Sequence, residues 1–228
     1  MEIKRYGEKE FLSADKLYIR ENEIHIWCIR WPEMTDFWKN HEYILSGQEL
    51  EQAGRFRFPE DRMRYIAGKV VVRILLKRYL DMETIDFSVN ELGKPYHKEI
   101  AGKQTVNFNI SHSGEFILEG FAVGMDIGVD VQEMAGCPDY REIAGNFYTA
   151  EEAEDVINEG PELFFQYWAA KEAYVKAIGI GLGRGMDFFS VRNGEITEKG
   201  RKGQGWHLYP VKIEGYAAYV AAHKKGDR

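Results

Sequence analysis

The sequence predicts an α+β protein of two similar lobes, one over residues 1–112 and one over 113–228. Three observations carry this reading. Strand-like runs rich in β-branched and aromatic residues are interleaved with long helical runs that contain no breaker. A long helix followed by Asp86-Phe-Ser-Val89 in the first half is echoed by a long helix followed by Asp187-Phe-Phe-Ser-Val191 in the second. A chain of 228 residues with 44% hydrophobic content can fill one large core or two small ones.

In the first half, Glu23-Ile-His-Ile-Trp-Cys-Ile-Arg-Trp31 alternates as a strand and stops at Pro32. Residues 42–52 read as a helix with Ser46-Gly-Gln-Glu49 as a capping signal inside it, and Asp61 to Tyr79 as a longer one with Met63, Ile66, Val70, Ile74 and Leu75 on one face. Arg55, Arg57, Arg62 and Arg64 cluster between and into these helices. Such a cluster is either a solvated face or a set of guanidinium forks for phosphate oxygens. Ile85 to Val89 is a short strand, Glu91-Leu-Gly-Lys94-Pro a turn, and Val106 to Ile110 a strand that delivers Ser111-His112-Ser-Gly114 at its end.

In the second half, Phe116 to Val123 and Gly124 to Glu133 read as consecutive strands, the latter projecting Asp126, Gly128, Asp130 and Gln132 to one side. A loop through Gly136, Pro138 and Gly145 follows, and then Thr149-Ala-Glu-Glu152 opens a helix. Gly160, Pro161 and Gly179 bracket the next helix as N-cap, first turn and left-handed stop. That helix places Phe165, Trp168, Glu172 and Lys176 on one face and Phe164, Tyr167, Tyr174 and Ile178 opposite, so it is packed on two sides. Taken alone, Glu172 and Lys176 read two ways, as an ordinary i,i+4 ion pair or as acid and base of an active site. Lys171 reads as a solvated or pairing charge. Four glycines in Gly179 to Gly185 match neither phosphate-loop nor dinucleotide fingerprints. Three further strand-like runs finish a sheet.

With 37 acidic against 30 basic residues the net charge is −7, which excludes a nucleic-acid footprint as the organising feature. No apolar run approaches the length of a spanning helix and no signal segment opens the chain, so a cytoplasmic protein without membrane partners is expected. Cys28 and Cys137 have no ligand spacing and read as reduced thiols.

Asp130 on a strand and Glu172 on a helix could share a hard divalent cation, with Lys176 a turn further on to meet a phosphate oxygen. That arrangement suits a diphosphate ester. Asn109-Ile-Ser-His112-Ser, Ile127-Gly-Val-Asp130-Val, Phe147-Tyr-Thr-Ala-Glu151-Glu and Trp168-Ala-Ala-Lys171-Glu172-Ala-Tyr-Val-Lys176 stand in this order, with Leu92-Gly-Lys94-Pro upstream. Together they resemble the Sfp-type 4′-phosphopantetheinyl transferases over nearly the whole chain. The resemblance implies a monomer of two pseudo-symmetric α/β lobes that hold coenzyme A and Mg²⁺ in the cleft between them. It implies Asp130 and Glu172 as metal ligands, and Glu172 as activator of a serine hydroxyl on an apo acyl carrier or peptidyl carrier protein. That hydroxyl attacks the β-phosphorus of coenzyme A, Lys176 stabilises the pyrophosphate charge, and adenosine 3′,5′-bisphosphate leaves. Arg64, Lys94, Ser111 and His112 match positions that hold the nucleotide and its 3′-phosphate. Carrier docking is implied beside Ala135 to Tyr148.

Two departures from the family's pattern stand out. Gln132 occupies the place of a second acid, so the third metal position falls to Gln132, to Gln132 through a water, or to water. Glu49 and Gln52 stand where lysines are usual, which shifts the 3′-phosphate toward Arg55, Arg57 or Arg64. The competing reading is a degenerate binder of coenzyme A or carrier whose Gln132 has ended turnover.

Overall fold

The computed structural model describes residues 1–85, 87–89, 95–97, 105–181, 185–198, 201–203 and 205–224. The chain forms two compact units, Met1–Ser88 with Tyr96–Val123, and Gly124–Arg228 with Val89–Pro95. The sequence-based boundary at 112/113 falls inside a hairpin whose two strands pair along their whole length, so the division comes after Val123 instead.

The first unit is a four-stranded sheet under a long helix. Strands β1 (Glu2–Tyr6), β2 (Glu23–Arg30), β5 (Val106–Ser113) and β6 (Phe116–Val123) lie in the order β1-β2-β6-β5, with β1 parallel to β2 and the other pairs antiparallel. Helix α1 is Glu8–Ser13, α2 is Thr35–Asn40, α3 is Gly47–Gly54 and α4 is Pro59–Leu80; the short strands β3 (Phe87–Val89) and β4 (Pro95–His97) pair with each other. Pro59 at the first turn and Asp81 in the left-handed region (φ 53°) bound α4. Its Ile66, Val70, Val71 and Leu75 close over Trp27, Ile29, Phe108 and Phe121 in a core that also takes in Trp38. Ser46 ends the preceding turn rather than lying within a helix. Its hydroxyl accepts the Glu49 N–H at 3.2 Å while Glu49 Oε2 accepts the Ser46 N–H at 2.9 Å, so the helix expected over 42–52 starts at Gly47.

The second unit is a three-stranded antiparallel sheet crossed by one helix. Strands β7 (Met125–Glu133), β11 (Trp206–Pro210) and β12 (Tyr216–Lys224) run in the order β11-β12-β7. Helices α5 (Tyr140–Phe147), α6 (Ala150–Glu159) and α7 (Pro161–Ile178) follow β7, and β8 (Phe189–Ser190), β9 (Thr197–Glu198) and β10 (Arg201–Lys202) form a small separate sheet. The loop expected through Gly145 is the helix α5. Tyr140, Ala144 and Tyr148 recur every four residues and are buried, with Tyr140 and Tyr148 against Phe164, while Gly145 sits on the exposed side. Thr149 caps α6, its hydroxyl accepting the Glu152 N–H at 3.3 Å and Glu152 Oε2 accepting the Thr149 N–H at 3.1 Å. Thr149→Ala is expected to lower unfolding stability by about 1 kcal/mol, read as a shifted urea midpoint with unchanged slope.

A glycine fixes how closely α7 meets the sheet. A Cβ on Gly128 would lie 2.1 Å from the Ala173 carbonyl oxygen and 2.4 Å from the Ala177 nitrogen. Only a residue without a side chain admits the α7 backbone there. The same face of β7 carries Asp130 and Gln132, two and four residues along.

Candidate active site

Helix α7 has the ends its sequence marks. Gly160 (φ 97°) precedes Pro161, and Gly179 (φ 73°) donates its N–H to the Val175 carbonyl at 2.9 Å. From Ala169 to Val175 every residue is buried, two charged ones among them. Because β7 lies under this stretch, Asp130 and Lys176 meet: Lys176 Nζ donates to Asp130 Oδ1 at 2.6 Å. Gln132 donates its Nε2–H to Asp130 Oδ2 at 2.9 Å. Its NH₂ group thus faces the aspartate. Glu133 is exposed, and strand alternation turns it to the face opposite Gln132.

Asp130 is 1% and Glu172 5% exposed. Burial pushes the Glu172 carboxyl up to about 7, the negative charge of Asp130 adds to the rise, and the Lys176 ammonium opposes it. Two acids therefore sit close enough to repel, both shielded from solvent. This is the electrostatic condition that a divalent cation relieves, and the donors at hand are hard oxygens. Among the described residues no third His, Cys, Asp or Glu completes a cluster with them, so an amide, water or ligand oxygens would fill the remaining positions.

Lys171, the neighbour of Glu172, is a wholly buried structural charge. Its ammonium pairs with Glu152 at 2.7 Å and donates to the carbonyls of Met186 and Phe189 at 2.9 and 2.5 Å. Glu152 also accepts the Val191 N–H at 2.6 Å. One ion pair thus ties α6, α7 and the start of β8 together beside Glu172. The signal for it in the sequence is slight: an acid at the third position of a capped helix and a lysine in an otherwise apolar run.

Of the residues expected to hold a nucleotide, Arg64, Ser111 and His112 lie in the first unit and Lys176 in the second. Arg64 donates to the Gly114 carbonyl at 3.1 Å and pairs with Asp61, while Trp31 donates its indole N–H to the same carbonyl at 3.0 Å. Arg64 is therefore anchored to the turn that follows β5. Ser111 and His112 lie within β5 rather than beyond its end. As strand neighbours they point to opposite faces, Ser111 buried and His112 exposed. Arg55 pairs with Glu51 at 2.6 Å, Arg62 with Glu42 at 3.6 Å, and Arg57 lies over the Phe58 ring. Lys94 is outside the described residues.

Two family profiles match the chain. The 4′-phosphopantetheinyl transferase superfamily profile covers residues 126–221 and the N-terminal 4′-phosphopantetheinyl transferase profile covers 29–120. They meet where the compact units divide. HetI, a 4′-phosphopantetheinyl transferase of Nostoc sp., is 31% identical over 175 residues, which are 74% of this chain and 73% of HetI. Sfp, a 4′-phosphopantetheinyl transferase of Bacillus subtilis, is 34% identical over 65% of this chain and 66% of its own. The protein slr0495 of Synechocystis sp. is 34% identical over 64% of this chain, and the match spans 62% of slr0495. The chain belongs to the Sfp-type 4′-phosphopantetheinyl transferase family.

Proposed function

We propose that this protein transfers the 4′-phosphopantetheine group of coenzyme A to a serine hydroxyl of an apo acyl carrier or peptidyl carrier protein. The observation that carries the reading is the buried pair Asp130 and Glu172 with the half-buried Lys176 beside it, in which burial pushes the Glu172 carboxyl up to about 7. A carboxylate so poised can take the serine proton, directly or through a water, as the oxygen attacks the β-phosphorus. The bond from that phosphorus to the bridging oxygen breaks, and adenosine 3′,5′-bisphosphate leaves. Lys176 supplies a fixed positive charge where pyrophosphate charge develops, a contribution worth several kcal/mol in a water-poor site. Asp130 and Glu172, with the carbonyl end of Gln132, would hold Mg²⁺, which when bound neutralises pyrophosphate oxygens. Arg64, Lys94, Ser111 and His112 are proposed to contact the nucleotide, and residues 135–148 the carrier. Among the described residues no helix is long and apolar enough to cross a membrane. We take the working form to be a cytoplasmic monomer with no nucleic-acid partner.

Intact-mass measurement tests this. Apo acyl and peptidyl carriers incubated with the protein, coenzyme A and Mg²⁺ should gain one phosphopantetheine, and EDTA should abolish the gain. A carrier left unmodified while coenzyme A still binds would overturn the transfer reading in favour of a binder. Adenosine 3′,5′-bisphosphate released without any carrier would indicate hydrolysis instead.

A further inference from the structure

The first unit contains a titratable side chain that the transfer chemistry leaves unused. Glu119 is centred in β6, flanked in register by Trp27 of β2 and Ile110 of β5, and is 0% exposed. Neither of its carboxylate oxygens has a hydrogen-bond partner. Strand alternation puts it on the same face as Ile117 and Phe121, both in the core beneath α4. An ionised carboxylate in such surroundings costs several kcal/mol unless it is paired, so the neutral acid is the form this packing accepts.

Among the described residues one cation acts on its charge. Lys69 of α4 is half-buried, and its ammonium lies over the Tyr65 ring, 5.6 Å from the centroid. Burial lowers the Lys69 pKa, the charges of Glu49 and Glu119 raise it, and that of Arg73 lowers it again. Burial holds Glu119 well above the ordinary carboxylate range, with Lys69 opposing. The nearby polar side chains are largely engaged elsewhere, although the buried Nε of Arg73 has no partner. Arg73 donates to Glu49 at 2.7 Å and to the Ile85 carbonyl at 2.6 Å, and Tyr79 bonds His25 at 2.7 Å and the Trp27 indole at 3.0 Å. Beyond these, β5 offers His112 on the same face, at an exposed position, and β1 offers Tyr6, stacked on Trp27.

We propose that Glu119 and Lys69 form a proton-controlled contact between β6 and α4. Glu119 is the neutral acid in the folded unit, and Lys69 leaves the Tyr65 ring to pair with it when the proton departs to solvent. The contact does not depend on the transfer reaction. Its effect on folding follows from linkage. A carboxyl whose folded pKa is raised contributes most at low pH and progressively less as pH rises through the unfolded and then the folded value. The first unit should therefore loosen on the alkaline side unless Lys69 answers the new charge.

Infrared difference spectra of the full-length protein, wild type minus Glu119→Gln, read the protonation state directly. At neutral pH the wild type should show the carbonyl stretch of a protonated carboxylic acid, which the variant lacks and which disappears as pH is raised. Lys69→Met should move that disappearance upward by about 1 pH unit or more, because an opposing cation is removed. Urea midpoints should fall with rising pH more steeply in wild type than in Glu119→Leu. Absence of the protonated band at neutral pH, or parallel midpoint profiles, would overturn the neutral acid. A band whose titration ignores Lys69→Met would overturn Lys69 as its partner.

Discussion

Gly128→Ala is expected to leave the second unit unable to fold in its native form. The new methyl would meet the Ala173 carbonyl and the Ala177 backbone at 2.1 and 2.4 Å, and neither contact belongs to a side chain that could swing away. Relief requires α7 to lift off β7. Overpacking a core ordinarily costs about 1–3 kcal/mol, and a clash against rigid backbone should lie at or above the top of that range. Urea unfolding is the measurement, with solubility on expression as the first sign. A variant that folds with a near wild-type midpoint would show that α7 has room to shift. If it folds with α7 displaced, the Asp130–Lys176 ion pair should be lost, and activity with it.

Glu172→Gln should move activity and stability in opposite directions. If Glu172 is the proton acceptor and metal ligand proposed above, its loss is expected to lower carrier modification by roughly 10²- to 10⁴-fold. Stability behaves differently. The Glu172 carboxyl takes up its proton near 7 in the folded protein and near 4.5 when exposed. Between those values the native state holds more protons than the unfolded chain, so stability falls as pH rises through the window, by up to about 3 kcal/mol on its alkaline side. The amide has no such titration. In metal-free buffer the variant should therefore unfold at higher urea than wild type above neutral pH, and the advantage should vanish near the acidic end of the window. Wild-type activity in the variant would remove Glu172 from the chemistry. An unchanged pH profile of stability would remove the electrostatic strain inferred here.

The sequence made α7 legible because its signals are local. Gly160, Pro161 and Gly179 mark its ends, and 3.6-residue periodicity alone sets Trp168, Glu172 and Lys176 on one face. The alternation of β7 likewise put Asp130 and Gln132 on one side, and the ion pair from Lys176 to Asp130 is the meeting of two patterns each readable by itself. What stayed hidden depends on partners far away in the chain. β1 is a charged stretch that becomes a strand only by parallel pairing with β2, twenty-one residues on at Glu2↔Glu23. α2 and α5 are too short for periodicity to stand out, and burial decides them. Glu152, Lys171 and Glu119 are charges, and a charge in a sequence is read as surface until its surroundings are known. The register of Ser111 and His112 was hidden for a simpler reason: the strand runs three residues past the point where its apolar alternation fades.

The joint at Gly160 has a consequence for how this part of the molecule can vary. α6 and α7 share that single residue as the end of one and the beginning of the other. Glu152, near the far end of α6, is tied back to Lys171 in the middle of α7. Two rods hinged at a corner and crossed by a tie form a triangle, and a triangle cannot shear. Each residue of an α-helix advances about 1.5 Å and turns about 100°. Inserting or deleting one residue in α6 would swing Glu152 away from the lysine and leave both charges buried without each other. The outward face of α6 is open to almost any polar substitution, but its length is a fixed dimension, cut to fit.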